Sequence, residues 1–363
     1  MKLQVTQENL NNALSSVARV ADSRGTLPIL ANVLIKAEKN RLTVSATNLN
    51  IGITHHVGAK IENNGVITVP ASLLSNFISS LPQGIITLEV EDKKLKITTD
   101  QYNSTINAIS AEDFPVMPAI EGGNTFEVDA KEFKKGLQQV VFAASPTDSR
   151  PVLSGVYINS DNKTLNLVAT DGSRLAEKTI KASVNNISLL VPASAINDLL
   201  RTLNDDVDKV KITKDEQQAL FKFDDTELVT RLIDGTYPNY KPLIPSKNEV
   251  TAEIKKTDLL NIVKVSSLFA RETAGSVTID VNEADKCVEI KSLASQLGEN
   301  TAKATAKVKG SGSITINSRY LIDGINAFGG EDIVFGFSGK VEPTILKDSK
   351  NTDYIHVIMP LKS

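Results

Sequence analysis

One unit of roughly 120 residues occurs three times along this chain, and that repetition limits the fold more than any other feature. The stretches VPASLLSNFISSLPQG from Val69, VPASAINDLLRTLNDD from Val191 and INSRYLIDGINAFGGE from Ile316 align with one another. Leu74, Phe77, Ile78 and Leu81 fall on Ile196, Leu199, Leu200 and Leu203, and then on Leu321, Gly324, Ile325 and Phe328. Apolar positions at i, i+3, i+4 and i+7 mark one buried stripe of an amphipathic helix. Each stretch runs into a strand-like segment: IITLEV, VDKVKIT or DIVFGF.

A second helix recurs near the start of each unit. Leu10, Leu14, Val17 and Ala18 match Phe133, Leu137, Val140 and Val141, and TDLLNIVKVSSLFARE keeps the pattern in a drifting register. Asp129 and Glu132 have the spacing of a capping box. Between the helices, LTVSATNLNIGITHHVGAKI and LNLVATDGSRLAEKTIKA alternate with the period of two of half-buried antiparallel strands. AEDFPVMPAI and DGTYPNYKPLIP place an aromatic residue before proline at Phe114 and Tyr237. Their prolines break helices, so both stretches are read as extended linkers. The expected fold class is α+β, three tandem repeated domains with two helices each on antiparallel sheets. The expected boundaries are 1–121, 122–247 and 248–363. A period this long gives tandem domains rather than a solenoid.

The 40 Lys plus Arg against 43 Asp plus Glu leave a net charge of −3, without the basic excess usual for a nucleic-acid-binding domain. Binding responds to local field, so a basic face within an acidic whole stays open. Cys287 stands alone in the sequence, which excludes an internal disulfide and fits a reducing compartment. MKLQVTQENLNN has no apolar core of a signal peptide, and no apolar run approaches the ~20 residues of a membrane span. The expectation is a cytoplasmic protein with no membrane partner.

Catalytic machinery is hard to assemble from these residues. His55 and His56 are adjacent on a strand and so point to opposite faces, a poor zinc pair. They and the isolated His356 are read as surface or strand-filling side chains, and Cys287 as a small half-buried one. GSGS from Gly310 is read as a hairpin turn rather than a phosphate loop, and Asp113 and Asp234 as a shared turn rather than a metal pair. No metal or cofactor is expected. VATDGSRLA, from Val168, has Asp-Gly between two alternating runs, which predicts a type I′ hairpin. That hairpin leaves the role of Arg174 and Leu175 unexplained if they stand exposed at a domain edge.

TDGSRLA, RPVLSGV from Arg150, LIDGTYPNYKPLIP from Leu232 and the terminal VIMPLKS together resemble the bacterial DNA polymerase III beta subunit, the sliding clamp. The resemblance spans all three repeats. It implies a non-catalytic processivity factor, a homodimeric ring of pseudo-sixfold symmetry with helices lining the hole and sheets outside. Twelve helices about 10 Å wide give an axial circumference near ~120 Å and a clear opening of about 28 Å, enough for a duplex. It also implies bacterial, nucleoid-associated localisation and sequence-independent contact with double-stranded DNA through Arg24, Arg150, Asn317 and Tyr320.

The second helices carry Ser72, Asn76 and Ser79, then Ser194, Asp198 and Arg201, then Arg319, Asp323 and Asn326, on the face opposite the stripe. Two positives and two negatives cancel there, while the first helices add Arg19, Lys134, Lys135 and Lys264. SLL after Pro70 and SAI after Pro192 lack basic residues that relatives often show, so loose, salt-sensitive phosphate contacts are expected.

The resemblance further implies a hydrophobic cleft receiving short linear peptides from the DNA polymerase III catalytic subunit, the clamp loader, other polymerases and repair proteins. Matching residues are Leu153, Thr170, Gly172, Arg174 and Leu175, with Pro238, Pro242 and Leu243, and Val341, Pro343, Val357, Met359 and Leu361. Arg174 would orient the ligand, and Met359 suits a promiscuous pocket. Ser173, often histidine in the family, and Pro242 and Leu361 depart from the usual pattern. Ile106, Leu268 and Phe269 match apolar dimer contacts. Two competing readings are a metal-dependent nuclease on a triplicated scaffold, separable by a cleavage assay, and a purely structural three-domain binding protein, separable by retention on closed circular DNA.

Overall fold

The structure, a computed structural model, describes residues 1–21, 27–39, 41–117, 119–120, 122–147, 149–161, 163–294 and 298–361. Among the described residues the α-helices are α1 (Gln7–Val17), α2 (Ala71–Ser80), α3 (Ala130–Val140), α4 (Ala193–Thr202), α5 (Lys256–Phe269) and α6 (Ser318–Ala327), two in each repeat as the periodicity predicts. The chain divides into two compact units, Met1–Lys131 with Ser194–Leu232, and Glu132–Ala193 with Ile233–Ser363.

In the first unit, α1 starts at Thr6, whose side chain accepts the Asn9 N–H, and it packs on α2. Leu10, Leu14 and Val17 of α1 and Leu74 and Ile78 of α2 are fully buried, as the apolar stripes require. Each contributes on the order of 1.5–3 kcal/mol through burial. The Gln7 amide donates to the Ile78 carbonyl at 2.8 Å, tying the two helices together. One sheet holds five strands, with Lys2–Thr6 inside it and Asn103–Asn107 at one edge. The other holds eight strands and is continuous between repeats: Ile51–Gly58 pairs antiparallel with Thr226–Arg231, Ile51 opposite Thr230.

The second unit repeats this plan. Its nine-stranded sheet is continuous where Arg174–Lys181 pairs with Tyr354–Ile358, Arg174 opposite Ile358. A four-stranded sheet ends at the edge strand Gly298–Thr305. Helices α5 and α6 pack together, burying Leu259, Val263, Leu321 and Ile325. Gly324 occupies a stripe position because His356 fills the space: a Cβ there would lie 2.4 Å from the imidazole Cδ2.

Two local expectations need correction and a third is narrowed. Of the surface or strand-filling readings of His356 the second holds: it is fully buried within the strand Tyr354–Ile358. Burial, reinforced by the nearby Arg174 charge, pushes its pKa down to about 3, so it is held neutral. GSGS is not a hairpin. Lys307–Lys309 pairs with Val250–Lys255 while Gly312–Asn317 pairs with Ser276–Asn282, so Gly310, at φ 78°, carries the chain from one sheet to another. The aromatic-proline stretches are not simple extended linkers either. Each contains a 3-10 turn, Ala111–Asp113 or Lys241–Leu243, and Phe114, Tyr237 and Tyr240 are buried.

Candidate functional site

The TDGSR loop joins strands Thr164–Thr170 and Arg174–Lys181. Of its central residues only Gly172 has positive φ, at 90°, so the turn is not type I′. Asp171 determines its shape instead: one carboxylate oxygen accepts the Ser173 N–H at 2.8 Å and the Arg174 N–H at 3.0 Å. Thr170 Oγ1 completes the loop, donating to the Arg174 carbonyl and accepting the Gly172 N–H.

Arg174 and Leu175 are not exposed. The Arg174 side chain is 10% exposed, and its Nε donates to Asp171 at 3.0 Å, Nη1 to Asp323 at 2.6 Å and Nη2 to the Phe142 carbonyl at 2.7 Å. Its guanidinium carbon also lies 4.5 Å from the Tyr320 ring centroid and 5.4 Å from that of Phe142. Three of its five N–H groups are thus engaged, and the cation staples the central repeat to α6.

Around this loop the expected cleft residues separate into a floor and a rim. Leu153, Leu175 and Val357 belong to one buried cluster with Val168, Leu190, Tyr237, Tyr240 and Ile345. Strand register makes the row: Leu175 stands opposite Val357, which stands opposite Ile345. Thr170 is buried in the loop. Pro238, Pro242, Leu243 and Val341 lie outside the cluster, with Leu243 48% and Val341 79% exposed, while Pro343, Met359 and Leu361 are half-buried. Met359 is fixed by its N–H to the Ser173 carbonyl and Leu361 by its N–H to the Thr315 carbonyl, both at 2.8 Å.

Sequence reasoning missed the aromatic part of this floor. Tyr237 stacks on Tyr157 at 4.7 Å and meets Tyr240 edge-on at 6.4 Å. The Tyr240 hydroxyl donates to buried Glu177 at 3.1 Å, and Lys241 reaches the same oxygen at 2.5 Å. Burial first, then the Glu177 charge, pushes the Tyr240 pKa well up, so it stays a neutral donor. These bonds set the turn that presents Pro242 and Leu243. The aromatic-proline repeat at Phe114 and Tyr237 was the available signal, but it reads equally well as a linker mark.

The residues expected at DNA scatter. Arg24 lies outside the described residues. Arg150 is exposed, its Nη1 3.9 Å from where a Cβ on Gly172 would stand. Asn317 caps α6, accepting the Arg319 and Tyr320 N–H groups at 2.9 and 3.4 Å and donating to the Ala274 carbonyl at 3.0 Å. Tyr320 lies under the Arg174 guanidinium. The two carboxylates on the second-helix faces are largely offset: Asp323 is paired with Arg174, and Asp198, its pKa raised by burial, lies 3.7 Å from Arg201. Ile106 is nearly buried on an edge strand, whereas Leu268 is 52% exposed beside half-buried Phe269 at the end of α5. Among the described residues no group of three His, Cys, Asp or Glu side chains could hold a metal ion, and no helix is long and apolar enough to cross a membrane.

Repeated α+β domains joined edge to edge through common sheets, with an apolar floor beside one of the joins, define a clamp-type scaffold. Three domain profiles of the DNA polymerase III beta subunit match in order: the N-terminal domain at 1–118, the central domain at 127–239 and the C-terminal domain at 241–362. The chain belongs to that family, whose members are non-catalytic sliding-clamp processivity factors. It is 30% identical over 388 residues to the beta sliding clamp of a Synechocystis species, covering 100% of this chain and 99% of that one. It is 26% identical over 377 residues to the clamp of Bacillus subtilis, covering both completely. The crystal structure of the Bacillus subtilis DNA polymerase sliding clamp superposes with a TM-score of 0.95 at 25% identity, over 100% of this chain and 99% of that one. A Pseudomonas aeruginosa sliding clamp bound to griselimycin superposes with a TM-score of 0.94 at 25% identity, covering both chains completely.

Proposed function

We propose that two copies of this chain close head-to-tail around duplex DNA and tether replication and repair proteins by short apolar peptides. The observation that carries this reading is the bookkeeping of sheet edges. The strand Ile51–Gly58 is sealed by Thr226–Arg231, and Arg174–Lys181 by Tyr354–Ile358. By sheet position their counterparts in the third and first repeats are Gly298–Thr305 and Asn103–Asn107, which are both edges. Each exposes unpaired backbone groups that seek a partner. Ile106 lies on one of these strands, and α5, which ends in Leu268 and Phe269, packs against the other. Pairing them between two copies satisfies both and closes a heterologous contact into a ring.

Within such a ring, Arg19, Arg201 and Lys264, with Arg24 and Arg150, supply loose phosphate contacts that position the duplex without reading sequence. The Leu153–Leu175–Val357 floor with its Leu243 and Met359 rim takes aliphatic or aromatic side chains of partner peptides, those of the polymerase III catalytic subunit and clamp loader among them.

Retention on DNA tests closure: the protein stays on nicked circular plasmid through gel filtration and is lost on linearisation. Equal loss from both forms overturns the ring. Deleting Met359–Ser363 tests the cleft, abolishing binding of a polymerase-derived peptide while the dimer persists. Unchanged peptide affinity overturns the cleft assignment.

A further inference from the structure

The TDGSR loop has a structural twin in the first repeat with quite different side chains. Thr47 Oγ1 donates to the Ile51 carbonyl at 2.9 Å and accepts the Leu49 N–H at 3.0 Å, as Thr170 does for Arg174 and Gly172. Asn48 Oδ1 accepts the Asn50 and Ile51 N–H groups at 3.1 and 2.9 Å, in the place of Asp171. The Arg231 N–H donates to the Asn50 carbonyl at 3.0 Å, as Met359 does to Ser173. So Arg231 stands where the apolar rim has Met359, and Leu49 where it has Gly172.

Leu49 is unusual on two counts. It sits at φ 75°, a conformation that costs a leucine of order 1 kcal/mol, and it is 47% exposed. Neither helps folding. With Val116, 95% exposed, it borders a cleft of about 560 Å³ that is also lined by Pro115, Asn48, Gln218 and Arg231. Among the described residues no acidic side chain lines this cleft, and none pairs with the Arg231 guanidinium. Pro115 and Val116 also border a second cleft of about 730 Å³, with Phe114, Leu34 and Ile67 in its wall and Lys36, Lys93, Glu38 and Glu112 around it.

We propose that this first-repeat cleft is a second docking site, for an extended acidic peptide whose carboxylate pairs with Arg231 and whose aliphatic side chains cover Leu49 and Val116. A guanidinium flanked by amide donors selects an anion. The two exposed aliphatic side chains and the apolar part of the adjoining cleft's wall favour a peptide over nucleic-acid phosphate, which would leave them uncovered. The site takes its geometry from the repeat and is independent of whether the Met359 cleft binds anything.

The test uses the full-length protein and a fluorescein-labelled hexapeptide of alternating leucine and aspartate, with its leucine/asparagine counterpart as control. Polarisation is expected to rise with the acidic peptide at least tenfold more tightly than with the control. Arg231→Glu should abolish that preference and Leu49→Asn should weaken binding severalfold, while Leu243→Asp at the other cleft leaves it unchanged. Arg231 and Leu49 are exposed, and an unaltered thermal transition confirms that the variants fold. No binding at millimolar peptide, equal binding of the control, or indifference to Arg231→Glu overturns the proposal. Loss through Leu243→Asp assigns the peptide to the other cleft. Displacement of the peptide by a short single-stranded oligonucleotide that itself binds through Arg231 assigns the site to nucleic acid, and so also overturns it.

Discussion

Replacing Arg174 with methionine keeps most of the side chain's length and removes its charge. The guanidinium is 10% exposed and serves Asp171, itself 11% exposed, and Asp323, 32% exposed. Removing one partner of a buried ion pair costs ~3–5 kcal/mol, because the other charge is left unpaired. Asp323 is partly solvated and counts at a discount, while the lost stacking over Tyr320 adds about 1 kcal/mol. The expected destabilisation is therefore ~3–4 kcal/mol, a fall of roughly 6–15 °C in the melting temperature of the transition that carries this unit. Calorimetry and guanidinium titration measure it. Adding Asp323→Asn to Arg174→Met should recover about 1 kcal/mol, of the order of coupling energies between contacting residues, since it removes the better-solvated of the two orphaned charges and leaves Asp171 unpaired, whereas Asp323→Asn alone should destabilise. A loss below about 1 kcal/mol would refute the staple. Abolished peptide binding at undiminished stability would refute it differently, by making Arg174 a ligand contact.

Because His356 is held neutral with a pKa of about 3, the unfolded chain takes up its proton below the ordinary value of 6.5 while the folded chain does not. Stability is thus lost as pH falls from about 6.5 towards 3, by up to ~1.4 kcal/mol per pH unit, and a His356→Leu variant should show that much shallower a slope between pH 6 and 4 in urea titrations. Gly324→Ala puts a methyl into the imidazole, 2.4 Å from Cδ2, and should cost ~1–3 kcal/mol, much of it regained in the Gly324→Ala/His356→Ala double variant. Leu268→Asp, at a side chain 52% exposed in one chain, should leave thermal stability of the monomer intact while weakening dimerisation by about a hundredfold in sedimentation equilibrium. An unchanged dimer would remove Leu268 from the interface.

The repeat, its paired helices and their buried stripes were legible because helical periodicity is a local signal that Leu10, Leu14, Leu74 and Ile78 carry openly. The hairpin at Thr170–Arg174 was legible as a turn but not in type, since the Asp171 side chain, not backbone preference, determines its geometry. The stapling role of Arg174 was hidden because a sequence shows a charge without its partners: Asp323 lies 149 positions away and reaches it only through tertiary packing. His356 and Gly324 were opaque for the same reason, each explained by the other across a helix–sheet contact. Of the cleft, the aliphatic floor came from family resemblance, whereas Tyr237 and Tyr240 were hidden behind prolines that mark linkers and binding turns alike.

The two matched free edges, Asn103–Asn107 and Gly298–Thr305, have a further consequence for assembly. Because they are unlike surfaces, each added copy presents the same vacancy that the last one filled, and only curvature decides whether the series terminates at two or grows into a filament. The seams inside the chain are backed by covalent continuity, while those between copies are not. In the proposed ring the intermolecular seam is therefore the natural gate for admitting DNA, and a substitution that flattened the arc would turn a bracelet into a fibre.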